Sequence, residues 1–231
     1  MLNYQVHGAG PLVLLIHGAA SNHGCWQPQS RYLTQQGYRV ATVDLPGHGR
    51  SPGPCTLASC VEQLAPILCQ QPQAVVGYSL GGVVAIELMR VYPVAGLFLV
   101  CPAVMIPPFT RHFYDWMLGW PLDSLARLRR PIKPLLRSPM ARLSLEEDPT
   151  TLRQVWPELR DWQSNYQHLT MPVWVGGGHF DHIAPPTALR QFTRAIPTAH
   201  LTLFRGRHRP MESDPRNFNR WLVQGLQTLK F

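Results

Sequence analysis

The stretch Gly77-Tyr78-Ser79-Leu80-Gly81 decides the fold class of this chain. An apolar run at residues 73–77 has the pattern of a buried strand, and residues 80–92 have helical spacing. A serine flanked by glycines between a strand and a helix is typical of a nucleophile elbow, which lifts the hydroxyl above the sheet. A phosphate-binding P-loop is the alternative for such a turn, but its lysine and spacing are missing. The sequence therefore predicts a nucleophilic serine at position 79.

Strand and helix patterns alternate on both sides of this turn. Further strands are predicted at 12–16, 38–43, 95–101, 172–176 and 199–204, and helices at 26–36, 56–70, 187–196 and 215–229. Strands that are apolar on both faces indicate a parallel sheet covered by helices, with right-handed crossovers. We expect an α/β fold with a doubly wound, mostly parallel sheet.

Residues 102–169 interrupt the alternation. This stretch is rich in proline, tryptophan and arginine and contains no clean strand pattern. We expect it to form a helical cap inserted into a single core made of residues 1–101 and 170–231.

Composition excludes several classes of protein. Of the 231 residues, 45% are apolar and 15% charged, which suits a packed core and not a disordered chain. The net charge of +8 favours acidic partners, yet no zinc-type spacing or RNA-binding motif accompanies it, so nucleic acid is not expected. The early apolar run is far shorter than the roughly 20 residues of a membrane span, and no charged leader precedes it. Five cysteines without a CxxC motif suit a reducing compartment, so we expect a cytoplasmic protein.

Two later loops supply the partners that a nucleophilic serine needs. Asp181 ends the stretch at 178–181 after one predicted strand, and His208 ends the stretch at 206–208 after the next. Nucleophile, acid and histidine follow in this order, each after a strand, so their side chains should meet at the carboxyl edge of the sheet. A turn aspartate and a surface histidine are the alternatives for the two residues taken singly. The order predicts a catalytic triad of Ser79, Asp181 and His208.

The first apolar strand predicts the rest of the site. His17-Gly18-Ala19-Ala20 follows it directly, so the backbone N–H groups of Ala19 and Leu80 would form an oxyanion hole. We assign structural roles to His17, Asp44 and His48. No metal cluster or nucleotide fingerprint is present in the sequence, so we expect no cofactor and no metal.

Together these motifs resemble the α/β-hydrolase superfamily. Its HG, DxPGxGxS, GxSxG, GxxD and GxH signatures correspond to residues 17–18, 44–51, 77–81, 178–181 and 206–208. The resemblance implies a serine carboxylic-ester hydrolase that works through an acyl-enzyme, and a serine at position 79 argues against the dehalogenase and epoxide hydrolase branches. Two alternatives remain open: a lyase of menaquinone synthesis, which has a similar triad, and a non-catalytic ligand receptor on the same scaffold.

The expected cap carries the substrate predictions. Residues 127–142 contain six basic and no acidic side chains, Arg129 and Arg130 among them, interleaved with leucines. They form either a solvated basic face or a landing site for an acidic carrier. With such a landing site the chain resembles the pimeloyl-ACP methyl ester esterases of biotin synthesis. This resemblance implies a substrate ester linked to acyl carrier protein. Trp26, Phe113 and Trp116 are predicted to line an acyl pocket, with plain packing as the alternative.

Overall fold

The computed structural model describes residues 1–120, 149–163 and 165–229. Its strands are β1 (Tyr4–His7), β2 (Leu12–Ile16), β3 (Arg39–Val43), β4 (Ala74–Tyr78), β5 (Gly96–Val100), β6 (Val173–Gly178) and β7 (Ala199–Phe204). Its helices are α1 (Gln27–Gln35), α2 (Leu57–Leu68), α3 (Leu80–Leu88), α4 (Pro108–Leu118), α5 (Pro149–Arg160), α6 (Pro186–Arg194), α7 (Pro210–Ser213) and α8 (Pro215–Thr228), and a 3₁₀ turn precedes α1 (His23–Trp26).

The seven strands form one sheet in the order β1-β3-β2-β4-β5-β6-β7. Strand β1 runs antiparallel to β3, and every other pair is parallel, which confirms the predicted fold class. Every residue of β2, β4 and β5 is buried, as expected for central strands with helices on both faces. The chain moves outward from β2 to β3 and then crosses to β4 on the other side of β2. This crossing makes the carboxyl end of β2 and β4 a topological switch point, the usual place for a site in such sheets.

Strand β1 and helix α3 differ from the sequence prediction, and the short helix α7 was not predicted. Strand β1 was not expected, although its residues Tyr4-Gln5-Val6-His7 alternate between apolar and polar, and all four of them are exposed. Helix α3 ends at Leu88 and not at Tyr92, and the amides of Val91 and Tyr92 both donate to the carbonyl of Leu88. Pro93 keeps Tyr92 out of the helix, because the residue before a proline is disfavoured in helical conformation.

Helices α4 and α5 lie in the chain between β5 and β6. They pack on each other through Tyr114, whose ring stacks on that of Trp156 at 4.8 Å between centroids, and through the Trp156 indole N–H, which donates to Asp115 at 2.7 Å. Residues 121–148, which include the basic stretch with Arg129 and Arg130, lie outside the described residues. The division into a core and a cap over 102–169 therefore stays a prediction. Within the described ranges, no helix combines the length and the hydropathy needed to cross a bilayer.

Candidate active site

Ser79 stands on a strained turn between β4 and α3. Its φ of 52° and ψ of −112° lie outside the regions that L residues prefer, and such strain concentrates at functional positions. The turn closes tightly because its neighbours have no side chain: a Cβ on Gly77 would overlap the Gly81 carbonyl, and one on Gly81 would lie 2.5 Å from the carbonyl oxygens of Ile16 and His17. The hydroxyl is thereby held at the carboxyl edge of the sheet.

The structure brings the three predicted catalytic side chains together. His208, on the loop between β7 and α7, has its Nε2 3.0 Å from the Oγ of Ser79. Its Nδ1 lies 2.7 Å from Oδ2 of Asp181, which is on the loop after β6. The hydroxyl, the imidazole and the carboxylate therefore form a continuous hydrogen-bond chain across three loops.

Asp181 is almost fully buried and is held as an anion. Its Oδ1 accepts hydrogen bonds from the backbone amides of Ile183 at 2.8 Å and Ala184 at 3.0 Å. Burial alone raises the pKa of this carboxyl, but the hydrogen bond and charge of His208 and the two amides outweigh it and leave the pKa lowered. The carboxylate accepts from Nδ1–H of His208, which leaves the lone pair of Nε2 facing the serine hydroxyl. This is the tautomer that general-base catalysis requires.

Two backbone amides are available beside the nucleophile. Leu80 is the first residue of α3, and within the described residues its N–H donates to no other group, as is usual at a helix start. The loop after β2 lies against the serine, since a Cβ built on Gly18 would be 3.0 Å from that of Ser79. Ala19 follows in this loop, and its N–H also has no partner within the described part of the chain. The two predicted oxyanion donors therefore come from the start of α3 and from a loop that borders Ser79.

His17 ties the loop after β2 to the loop after β3. Its Nδ1–H donates to the Gly18 carbonyl at 2.7 Å, and its Nε2 accepts from the amide of Leu45 at 2.9 Å. Burial and the neighbouring His48 lower the pKa of His17 to about 3. The neutral ring thus supports the loop that carries Ala19.

Asp44 holds the turn that follows β3. Its buried carboxylate accepts hydrogen bonds from His23, through the backbone amide at 2.8 Å and the ring Nδ1 at 2.7 Å. It also accepts from the backbone amide of Arg50 at 3.0 Å and the side-chain amide of Asn3 at 2.7 Å. Burial raises the pKa of Asp44, and these hydrogen bonds more than offset that effect, so the pKa is lowered. Every contact serves the loop architecture and none reaches the nucleophile.

A largely apolar cavity of about 720 Å³ opens beside the triad. Its lining includes Asp181 and His208 together with Phe109, Phe113, Tyr114 and Ile183. Phe113 lines this cavity, and its contact with an acyl chain stays a prediction. Tyr114 and Ile183 were missed, because only the packing of α4 over the loop after β6 brings them to the cavity.

The two tryptophans predicted for this pocket lie elsewhere. Trp26 is fully buried in the core, where its ring stacks on Phe218 and contacts the edge of Tyr78, both at 6.4 Å. It does not line the cavity, because the 3₁₀ turn packs its ring against Tyr78 and Phe218. Trp116 projects from α4 with 60% of its surface exposed, outside the cavity lining. Arg129 and Arg130 lie outside the described residues.

The chemistry of the buried groups fits proton transfer better than metal binding. Among the described residues, Cys101, Asp181 and His208 place possible ligand atoms within 4.8 Å of one another. The carboxylate and the imidazole are already bonded to each other, however, and burial followed by the charge of Asp181 raises the pKa of the Cys101 thiol well above its usual value. A protonated thiol is a poor metal ligand.

The fold and this hydrogen-bonded triad define a serine-hydrolase type of site. The profile of the alpha/beta hydrolase family matches residues 13–221, and the chain belongs to that family. The resemblance stated from the motifs is therefore confirmed. Relatives in the family are named as esterases, and the chain is an enzyme of the hydrolase kind.

Three similar proteins illustrate the relationship. Over 126 residues the chain is 37% identical to the pimeloyl-[acyl-carrier protein] methyl ester esterase of Methylococcus capsulatus, an alignment that covers 51% of this chain and only 44% of that relative. It is 29% identical to the enzyme of the same name from Nitrosomonas europaea over 248 residues, which cover 94% of this chain and 96% of the relative. The solved structure of an esterase from Exiguobacterium antarcticum superposes with a TM-score of 0.85 at 18% identity, covering 98% of this chain and 96% of that one. The last likeness shows the fold alone.

Proposed function

We propose that this protein is a serine carboxylic-ester hydrolase that works through an acyl-enzyme. One observation carries the proposal: the unbroken hydrogen-bond chain from Ser79 through His208 to Asp181, with distances of 3.0 and 2.7 Å. His208 and Asp181 of this chain also line an apolar cavity. A strained serine, an oriented base and a buried anion are the parts that nucleophilic acyl transfer needs.

Each side chain has a defined part in the proposed reaction. His208 takes the hydroxyl proton through Nε2 as Ser79 attacks the ester carbonyl, and Asp181 stabilises the imidazolium that forms. The backbone N–H groups of Ala19 and Leu80 hold the oxyanion of the tetrahedral intermediate. His208 then returns the proton to the leaving alcohol, and the acyl group stays on Ser79. Water activated by the same histidine releases the acid and restores the serine.

The proposed substrate is an ester carried by an acidic acyl carrier protein in the cytoplasm. Support comes from the names of the two relatives given above and from the net charge of +8. Arg129 and Arg130 in the basic stretch at 127–142 are the proposed contacts with the carrier.

The catalytic part is tested with p-nitrophenyl esters of increasing acyl length. Replacement Ser79→Ala should reduce kcat by at least about 10⁴-fold, since the nucleophile is lost while the fold remains. Wild-type protein should also form a covalent serine adduct with a fluorophosphonate, detected by mass spectrometry, and Ser79→Ala should not. Failure of the wild type to cleave any ester or to be labelled would reject the hydrolase and favour the lyase chemistry.

The carrier part needs a separate comparison. Reversal of Arg129 and Arg130 to Glu should slow hydrolysis of a carrier-linked methyl ester and spare a free p-nitrophenyl ester. The matched control reverses Arg216 and Arg220, two exposed arginines on α8, which changes the net charge equally. Equal losses on both substrates, or equal effects of both reversals, would contradict a carrier site at 129–130.

A further inference from the structure

Helix α4 and the turn after it present an exposed row of aromatic rings that the catalytic chemistry does not use. The row consists of Phe109, Phe113, Trp116 and Trp120 and is here called the aromatic stripe. The first three lie on one face of α4 by their spacing of four and three residues, and Trp120 follows the end of the helix with its ring against that of Trp116. Their exposed fractions are 84%, 48%, 60% and 49%. Aromatic rings this exposed on one face mark a contact surface, because they are otherwise buried.

The opposite face of α4 already accounts for the attachment of the helix. Thr110 donates to the His182 carbonyl at 2.8 Å, Tyr114 stacks on Trp156, and Leu118 is buried. The aromatic stripe is therefore not needed to hold the helix in place.

The aromatic stripe is continuous with the catalytic cavity. Phe109 and Phe113 line that cavity together with Asp181 and His208. From there the rings continue outward, with Phe113 6.2 Å from Trp116 and Trp116 5.1 Å from Trp120 between centroids. If an apolar layer covered the aromatic stripe, a molecule dissolved in that layer could reach the cavity along the rings without crossing a polar surface.

Positive charge lies at both ends of the aromatic stripe. Arg207 and Phe109 line the same cavity, and the guanidinium of Arg153 donates to the carbonyls of Leu118 at 2.9 Å and Trp120 at 2.7 Å. The acid of α4, Asp115, accepts from Trp156 and Arg160 on the α5 side. Aromatic rings bordered by cations are the pattern of surfaces that sit at an anionic lipid–water interface.

We propose that the aromatic stripe docks the enzyme on anionic lipid surfaces and opens its cavity to apolar esters dissolved in them. The tryptophans sit at headgroup depth, where a ring with an N–H is favoured, and the arginines face lipid phosphates. This docking goes beyond the proposed carrier-linked substrate, and only the delivery of esters to the cavity rests on the proposed function. It requires no spanning helix, because the contact is peripheral.

Binding is measured first and without catalysis. Ser79→Ala protein is sedimented with vesicles of equimolar phosphatidylcholine and phosphatidylglycerol, and with phosphatidylcholine alone. We expect binding to the anionic vesicles and a loss of at least about tenfold when Trp116 and Trp120 are both replaced by Ser, since each withdraws apolar area from the lipid. Tyr4→Ser is the matched control, because Tyr4 is an aromatic residue on edge strand β1 with 43% exposure, and it should bind as the parent does.

Catalysis is measured second, with an ester whose concentration crosses its critical micelle concentration. The ratio of the hydrolysis rate above the critical micelle concentration to the rate below it should be lower in the double tryptophan variant than in the wild type. In Tyr4→Ser this ratio should equal that of the wild type. Absence of vesicle binding by the parent, or binding that survives loss of both tryptophans, would overturn the proposal. A dimer that dissociates when the tryptophans are replaced would also overturn it, because the stripe would then bind a second copy of the chain. A loss of activity on carrier-linked ester alone would do the same, because the stripe would then bind a carrier protein. Hydrolysis of soluble esters by the wild type reports separately on the proposed function.

Discussion

Replacement of Asp181 by Asn should invert the protonation of the catalytic histidine. The backbone amides of Ile183 and Ala184 both donate to Oδ1, at 2.8 and 3.0 Å, so an amide side chain keeps its oxygen on these donors. Its NH₂ group then faces Nδ1 of His208 at the position of the present 2.7 Å bond. Nδ1 must accept, Nε2 must carry the proton, and the hydroxyl of Ser79 loses its base.

The expected loss in kcat is about 10⁴-fold, or about 5.4 kcal/mol of transition-state stabilisation, by analogy with the same change in a serine protease triad. It is measured with a p-nitrophenyl ester, and thermal unfolding monitors the fold. Asp161→Asn serves as control, because that carboxylate is exposed and its ion pair with Arg160 contributes little. Nitrogen NMR of His208 should find the proton on Nε2 in the variant. Retention of more than about a tenth of the wild-type kcat, or a proton still on Nδ1, would refute the reasoning.

Three further predictions concern the support of the site. Gly77→Ala should destabilise the protein by at least about 1–3 kcal/mol in urea unfolding, because the new methyl overlaps the Gly81 carbonyl, whereas Gly119→Ala, with its nearest contact at 3.4 Å, should not. The pKa of His17 is lowered to about 3 in the folded protein, so the unfolded chain binds a proton on this ring more readily. The free energy of unfolding should therefore be highest above about pH 6.5 and should fall by about 1.4 kcal/mol per pH unit towards pH 3. Trp26→Ala should cost about 3–5 kcal/mol of stability through the cavity left in the core.

Each of these predictions has a result that contradicts it. Equal unfolding midpoints for Gly77→Ala and Gly119→Ala would mean that the elbow tolerates a side chain. Stability that is constant between pH 6.5 and pH 4.5, or the same acid slope in His17→Asn, would remove the buried neutral imidazole as the cause. A Trp26→Ala protein as stable as the wild type but altered in acyl-length preference would return Trp26 to the pocket.

The sequence predicts the sheet and the meeting of the triad because both depend on the order of local patterns. The central strands are apolar on both faces, which predicts the sheet. Ser79, Asp181 and His208 each follow a strand within a few residues, which predicts that they meet at one edge of the sheet. Strand β1 was missed although Tyr4-Gln5-Val6-His7 alternates between apolar and polar residues, because the run is only four residues long and no buried face confirms it. The direction of Trp26 also depends on contacts with residues far along the chain, such as Phe218, which no local pattern encodes.

The placement of the base and acid has a consequence for biosynthesis. Ser79 is translated in the first half of the chain, but Asp181 and His208 follow the last two strands, β6 and β7. A ribosome-bound fragment that stops before residue 208 carries the attacking hydroxyl and nothing to deprotonate it. The proposed ester cleavage therefore requires that β6 and β7, at the far edge of the sheet, have joined the other strands.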